Sequence, residues 1–295
     1  MRILVFGGWG QLGSDLTVAA VGRHEMIRPS HATLDVSDAD GVSKLVAAER
    51  PDAVLNAAAF HKVELCEEDP VRAFAVNAIG ALNVARAARN AGSRTVYIST
   101  DYVFDGKRLG GFSEDDAVGP LNVYGISKAA GEAAVRQADP EALIVRGSGL
   151  FGHAGSAGKG GNFVDNMIAR ARSGQPLSIV DDQVFAPTAT RDMAERILLL
   201  LERRVPPGNY HAANAGSCSW YVLAKSAIAI EGIEAEVSPR PTGDAAVQRP
   251  VFSVLLDTKS GSLGLPANRS WEAALRWYLE NRPEPRTSGN RVPHN

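Results

Sequence analysis

The chain has 295 residues, 45% of them hydrophobic and 22% charged, with a formal net charge of −2. That length suits one large or two modest domains, and the balance is that of an ordinary globular protein. A charge so near zero, with no long basic run, argues against nucleic acid or an anionic membrane as the main partner.

The chain opens with a short buried-strand run, Ile3 to Phe6, too brief for a signal peptide before glycines interrupt it. Gly7-Gly8-Trp9-Gly10-Gln11-Leu12-Gly13 follows, then a helical pattern from Ser14 to Ala20. Gly7, Gly10 and Gly13 permit a tight turn, let a diphosphate approach the backbone, and let helix pack on strand. The helix N-terminus then faces the phosphates with partial positive charge. This points to a dinucleotide site.

Met26-Ile27 reads as a second strand ending at Arg28-Pro29-Ser30. An acid at this place binds the ribose of NAD in many such folds. Here Arg28 and Ser30 stand instead, which suits the extra phosphate of NADP, although Arg28 also reads as a solvated loop charge. Asp35-Val36 borders the expected adenine position. Asp38 is a candidate helix cap before Gly41-Val42-Ser43-Lys44-Leu45-Val46.

Ala53 to Phe60 reads as a strand followed by small residues, which leave room for a flat or extended ligand or for close helix–strand packing. One long helix is expected from about Pro70 to Ala91, carrying Asn77 on an alanine-rich face. Arg94 to Thr100 is a further strand. Ligands in open parallel sheets sit beyond such strand ends, so Thr100 is a candidate to hold a substrate carbonyl, with Asp101 beside it.

Asn122-Val-Tyr-Gly-Ile-Ser-Lys128 runs into helix-forming sequence, placing Tyr124 and Lys128 one turn apart on one face. A cation near a phenol favours phenolate and lowers the tyrosine pKa, tuning Tyr124 as a proton donor to a carbonyl oxygen.

Ala142 to Arg146 is a strand, and Gly147 to Gly161 reads as a glycine-rich substrate cover or a connector. Lys159 and Asn162 bracket its end, before a helix through Phe163. A strand is expected at Leu177–Val180, a helix over Asp192 to Glu202 and a strand at Asn209–Ala212. Ser217 or Ser219 can cap a helix starting at Trp220. Pro239, Pro241 and Pro250 suggest extended chain over a cleft, and Trp271 to Leu279 is the last helix. Lys159 and Arg249 are candidates to neutralise a nucleotide diphosphate. Cys66 and Cys218 have neither pairing nor metal-ligand spacing, which suggests a reduced, cytoplasmic setting.

Taken together, GGWGQLG at 7–13, NAAAF at 56–60, STDYVFDG at 99–106, NVYGISK at 122–128, Gly161-Asn162-Phe163, Asp182-Gln183 with Pro187-Thr188, Ser219-Trp220 and Arg249-Pro250 with Ser253 carry a resemblance. The chain resembles the extended short-chain dehydrogenase/reductase family, and within it the dTDP-4-dehydrorhamnose reductase group. The resemblance implies an α/β fold with a Rossmann-like doubly wound parallel sheet over residues 1–146, rejoined by segments at about 177–215. A smaller substrate-binding α/β part would fill 147–281, and 282–295 would be a disordered tail. It implies reduction of the 4-keto group of a nucleotide-linked deoxysugar by NADPH or NADH, with Thr100, Tyr124 and Lys128 as the triad. The cofactor would lie along Gly7, Gly10, Gln11, Leu12 and Gly13, then Arg28, Asp35 and Val36, then Ala58, Ala59, Phe60 and His61. Substrate would meet Thr100, Asp101, Tyr124, Lys159, Asn162 and Arg249. Gly149 stands where a tryptophan is usual, Phe185 where glycine is usual, and Phe252 where asparagine is common. A homodimer is compatible with the resemblance. So is a magnesium ion, for which Asp15 matches one ligand but no set can be assembled. A regulatory nucleotide-binding subunit and a nucleotide-sugar epimerase are the alternative readings.

Overall fold

The structure, a computed structural model, describes residues 1–154 and 161–282. Strand β1 (Arg2–Phe6) leads through the glycine turn to α1 (Gln11–Ala20), β2 (Glu25–Ile27), α2 (Ala39–Glu49) and β3 (Ala53–Asn56). Helices α3 (Val63–Glu68) and α4 (Pro70–Phe74), a π-helical turn at Ala75–Ile79, and α5 (Gly80–Asn90) precede β4 (Arg94–Thr100). A short 3-10 turn at Asp101–Val103 leads on to α6 (Val123–Ala138) and β5 (Leu143–Gly147). Then come β6 (Leu150–Phe151), α7 (Phe163–Arg172), β7 (Leu177–Val180), β8 (Val184–Phe185), β9 (Thr188–Ala189) and α8 (Thr190–Glu202). The last elements are β10 (Gly208–His211), β11 (Cys218–Ser219), α9 (Trp220–Ile230), β12 (Val237–Arg240) and α10 (Trp271–Glu280).

Six strands form one parallel sheet in the order β10-β5-β4-β3-β1-β2. Successive side chains of a strand point to opposite faces, and here both faces are covered. Ile3 and Val5 pack with Leu16 of α1 and Ile197 of α8 on one face. Leu4 and Phe6 pack with Val46 of α2 and Val84 of α5 on the other. Burying each such side chain is worth about 1.5–3 kcal/mol. The chain passes to one side of β1 for β2 and to the other for β3. That reversal opens a crevice beyond the carboxyl ends of β1 and β3, where ligands of such sheets bind.

Several helices begin where the sequence marks a cap. Asp38, Asn122, Asn162 and Ser219 each accept a bond from a backbone N–H in the first turn of α2, α6, α7 and α9. The long helix expected from Pro70 is interrupted. Its π-helical turn carries Asn77, fully buried, whose Nδ2 donates to Phe60 O and to Ser127 Oγ, both at 2.9 Å. The local widening of the helix lets one side chain tie the Phe60 loop to α6.

A second lobe joins α7, α9 and α10 over short sheets. Leu177–Val180 pairs with β12 rather than with the large sheet, so of the 177–215 stretch it is α8 and β10 that lie on that sheet. Residues 251–256 run extended between the lobes: Ser253 N donates to Val184 O and Phe112 N to Val254 O, both at 2.8 Å. Of the expected tail, residues 283–295 lie outside the described residues, as do residues 155–160 of the glycine-rich segment.

Candidate active site

The crevice is a cavity of about 690 Å³ running from the glycine turn, past Asp35 and Phe60, to Thr100, Tyr124 and Trp220. Its glycine-turn end exists because side chains are missing there. A Cβ on Gly7 would lie 2.6 Å from the Ala57 carbonyl carbon, at a φ of +76° that favours glycine. A Cβ on Gly13 would lie 2.5 Å from the Gly8 backbone, so α1 can approach the turn only without one. Gln11, on the cavity wall, holds a buried Oε1 with no partner among the described atoms. A cradle of bare backbone and an acceptor awaiting a donor fit a dinucleotide. The backbone at Gly7, Gly10, Gln11, Leu12 and Gly13 would hold its diphosphate end, and the Gln11 Oε1 suits a donor such as a ribose hydroxyl.

Further along, Asp35 lines the cavity with its carboxylate held below the usual range, chiefly by the backbone N–H of Ser37. Val36, Ala58, Ala59, Phe60 and His61 line it too. Arg28 is not on the wall itself. Its guanidinium lies 4.0 Å over the ring of Trp9, which is, and Trp9 Nε1 donates to Arg28 O at 3.2 Å.

At the other end, Tyr124 and Lys128 sit on the first two turns of α6, which the Asn122 cap opens. Tyr124 packs edge-on against Tyr102 with ring centroids 5.9 Å apart. Lys128 is 2% exposed. Its Nζ donates to Ile98 O at 2.6 Å and lies 4.0 Å over the Tyr97 ring. Burial pushes the Lys128 ammonium down to about 7, against the pull of Glu132 one turn on. The Tyr124 pKa is raised, not lowered as the helix spacing predicts. Burial pushes that phenol above its ordinary value, with a hydrogen bond to Thr100 acting the other way. The cation beside it is bound to a main-chain carbonyl and is itself destabilised by burial, so in this state it does not favour phenolate.

Thr100 ends β4, and its Oγ1 donates to Asp101 Oδ1 at 3.0 Å while accepting from Tyr102 N at 3.2 Å. Asp101 Oδ2 accepts from Ser148 Oγ at 2.8 Å and Ser253 Oγ at 2.5 Å. Burial raises the Asp101 pKa, and the three hydroxyls oppose that rise. Asp101 thus ties β4, the turn after β5 and the 251–256 strap together behind Thr100. The Thr100 proton reaches a substrate oxygen only by leaving Asp101.

Asn162 lines the cavity but spends its side chain on structure. Its Nδ2 donates to Gly152 O at 3.0 Å and Tyr278 OH at 2.8 Å, and its Oδ1 accepts from Asp165 N at 3.0 Å. Arg249 is not on the wall itself: it is ion-paired with Glu64 and within reach of Tyr102, which is on the wall. Lys159 lies outside the described residues. Among the described residues no group of three or more His, Cys, Asp or Glu side chains is placed to hold a metal ion. The carboxylate of Asp15 instead accepts the hydroxyl of Thr190.

Sequence reasoning missed the support beneath Lys128. Glu132 and Arg146 form a buried ion pair, with Nε and Nη2 of Arg146 donating at 2.8 and 2.7 Å. Ser99 Oγ donates to the same carboxylate at 2.6 Å. Burial pushes the Glu132 carboxyl up, yet Arg146 and Ser99 outweigh it and hold it low. The signal available was a glutamate four residues after the lysine on the same helix face. Trp220 and Phe163 on the cavity wall were also missed as site residues.

The model of the family described as RmlD substrate binding domain matches residues 1–283. The chain belongs to that family. It is 36% identical to the spore coat polysaccharide biosynthesis protein SpsK of Bacillus subtilis, over 95% of this chain and 98% of that one. It is also 36% identical to a dTDP-4-dehydrorhamnose reductase of Mycolicibacterium smegmatis, over 93% of this chain and 84% of that one. A dTDP-4-dehydrorhamnose reductase of Bacillus anthracis solved in complex with NADP superposes with a TM-score of 0.90, at 34% identity, covering 95% of this chain and 98% of that one. The parallel-sheet fold expected from the sequence agrees with these relatives.

Proposed function

We propose that this protein is an NAD(P)H-dependent oxidoreductase that reduces the 4-keto group of a nucleotide-linked deoxysugar, a dTDP-4-dehydrorhamnose reductase in kind. The observation that carries this reading is that Tyr124 and Lys128 open into the same cavity as the bare-backbone turn at Gly7–Gly13. The reduced nicotinamide, when bound, supplies the hydride that C4 of the sugar takes up. Tyr124 gives its phenolic proton to the carbonyl oxygen as charge builds there, so the product is the alcohol. A phenol held protonated by burial suits a donor. Lys128 leaves the Ile98 carbonyl to anchor ribose hydroxyls and steady the phenolate left behind. Asp101 and the two serines hold Thr100 at the rim of the reacting space, from which its hydroxyl can turn to the substrate oxygen. Orientation of the two reactants in one walled cavity can remove roughly 7–11 kcal/mol of barrier.

NADPH is the favoured cofactor, because the Arg28 guanidinium lies over Trp9 of the cavity wall and offers a counter-charge beside it. No helix among the described residues is long and apolar enough to cross a membrane. With both cysteines free and buried, we place the reaction in the cytoplasm. The test is a panel of nucleotide-linked 4-ketosugars offered with NADPH and with NADH, read by loss of reduced-nicotinamide absorbance. Turnover of at least one 4-keto-6-deoxysugar is expected. Binding of cofactor without oxidation by any member would overturn the reading.

A further inference from the structure

One stretch of the cavity wall is aromatic. Trp220 is the first residue of α9, fixed by the Ser219 cap; Phe163 is the first residue of α7, fixed by the Asn162 cap. Their rings meet edge to face with centroids 4.6 Å apart. Behind them Phe185, 4% exposed, lies 4.0 Å from the Trp220 ring. Phe185 also fills the place of a side chain on the neighbouring turn. A Cβ on Gly149 would fall 2.0 Å from its ring, and Gly149 takes a φ of +50°. Trp220, Phe163 and Gly149 all line the cavity. Gly149 follows Ser148, whose hydroxyl binds Asp101 beside Thr100, so this wall begins one residue from the reacting end.

We propose that Trp220, flanked by Phe163 and propped by Phe185, receives the sugar ring and selects a 6-deoxyhexose over its 6-hydroxyl counterpart. The inference rests on the reductase reading, which supplies the sugar. An aromatic face packs well against ring C–H groups and a methyl. A 6-hydroxyl there loses water, and among the described residues it finds no free donor on Asn162, the polar side chain beside Phe163. The Asn162 amide hydrogens are committed to Gly152 O and Tyr278 OH, and its oxygen caps α7. A buried hydroxyl without a partner is disfavoured against the methyl analogue.

The experiment titrates NADPH-loaded protein with dTDP-6-deoxyglucose and with dTDP-glucose, which differ only in that hydroxyl. The wild type should bind the deoxysugar roughly 10–100-fold more tightly, the range an apolar pocket gives for one added hydroxyl. Trp220→Ala should reduce the ratio to within about threefold, while the NADPH Kd, read by nicotinamide fluorescence, stays unchanged. Trp220→Phe keeps an aromatic wall and should keep most of the discrimination, which guards against a misfolded alanine variant. Equal binding of the two sugars by the wild type, binding of neither, or undiminished discrimination in Trp220→Ala overturns the proposal. Discrimination without NADPH oxidation by any 4-ketosugar leaves the wall standing and overturns the reductase reading instead.

Discussion

Replacing Lys128 with methionine should make the resting protein more stable near neutral pH, and inactive. Lys128 is 2% exposed, its nitrogen held by one carbonyl and one ring, and burial lowers its pKa from the usual 10.5 to about 7. In the unfolded chain the lysine keeps its proton to higher pH. Between those two values the unfolded state therefore binds more protons, and wild-type stability rises with pH. The rise is roughly 1.4 kcal/mol per pH unit and roughly 5 kcal/mol across the whole interval. Below pH 7 both states are protonated and the full penalty of the buried cation applies. Lys128→Met fills similar volume and removes that term. It leaves the Ile98 carbonyl unpaired, a pH-independent loss of about 1–3 kcal/mol. The assay is urea denaturation of both cofactor-free proteins from pH 6 to pH 10, followed by circular dichroism. The wild-type stability minus that of Lys128→Met should climb by several kcal/mol as pH rises through this range. A difference that stays flat with pH would refute the claim that Lys128 is a destabilised buried cation.

Three further outcomes follow from the same geometry. Arg28→Ala should raise the KM for NADPH about 10-fold or more, the worth of a charge-assisted bond, and leave that for NADH nearly unchanged. Equal effects on both cofactors in steady-state assays would remove Arg28 from phosphate recognition. Gly13→Ala should cost about 1–3 kcal/mol by forcing α1 off the Gly8 backbone, 2.5 Å from the new Cβ, and should weaken NADPH binding with it. Unchanged melting and binding would mean the turn is not closed as described. Arg146→Met leaves the fully buried Glu132 carboxylate without its main partner and should cost about 3–5 kcal/mol. Adding Glu132→Gln should restore part of that loss, and a single variant as stable as the wild type would contradict the burial of the pair.

What could be read from the chain alone is what repeats or sits next to its partner. The apolar runs of β1, β3, β4 and β5, the glycine turn, the Tyr124–Lys128 spacing, the cap Asp38 and the cap at Ser217 or Ser219 are all local patterns. They place the crevice and the two side chains that open into it. What escaped was set by distant partners. Asn77 looks like any polar residue in a helix until Phe60 and Ser127 are brought to it, and the π-helical turn that accommodates this has no periodic signature. Arg146 reads as the end of a strand, yet it is the counter-ion of Glu132 beneath Lys128. The Tyr124–Lys128 spacing reports direction on a helix face and says nothing of desolvation, which sets the sign of the Tyr124 shift. Phe185 and Gly149, 36 positions apart in sequence, interlock only in space.

The most direct test of the account compares wild type and Tyr124→Phe for NADPH oxidation with a nucleotide-linked 4-keto-6-deoxysugar at neutral pH. The account predicts a fall in kcat of roughly 10²–10⁴-fold, the usual worth of a positioned proton donor, with NADPH affinity retained. Turnover by the phenylalanine variant close to that of the wild type would contradict it.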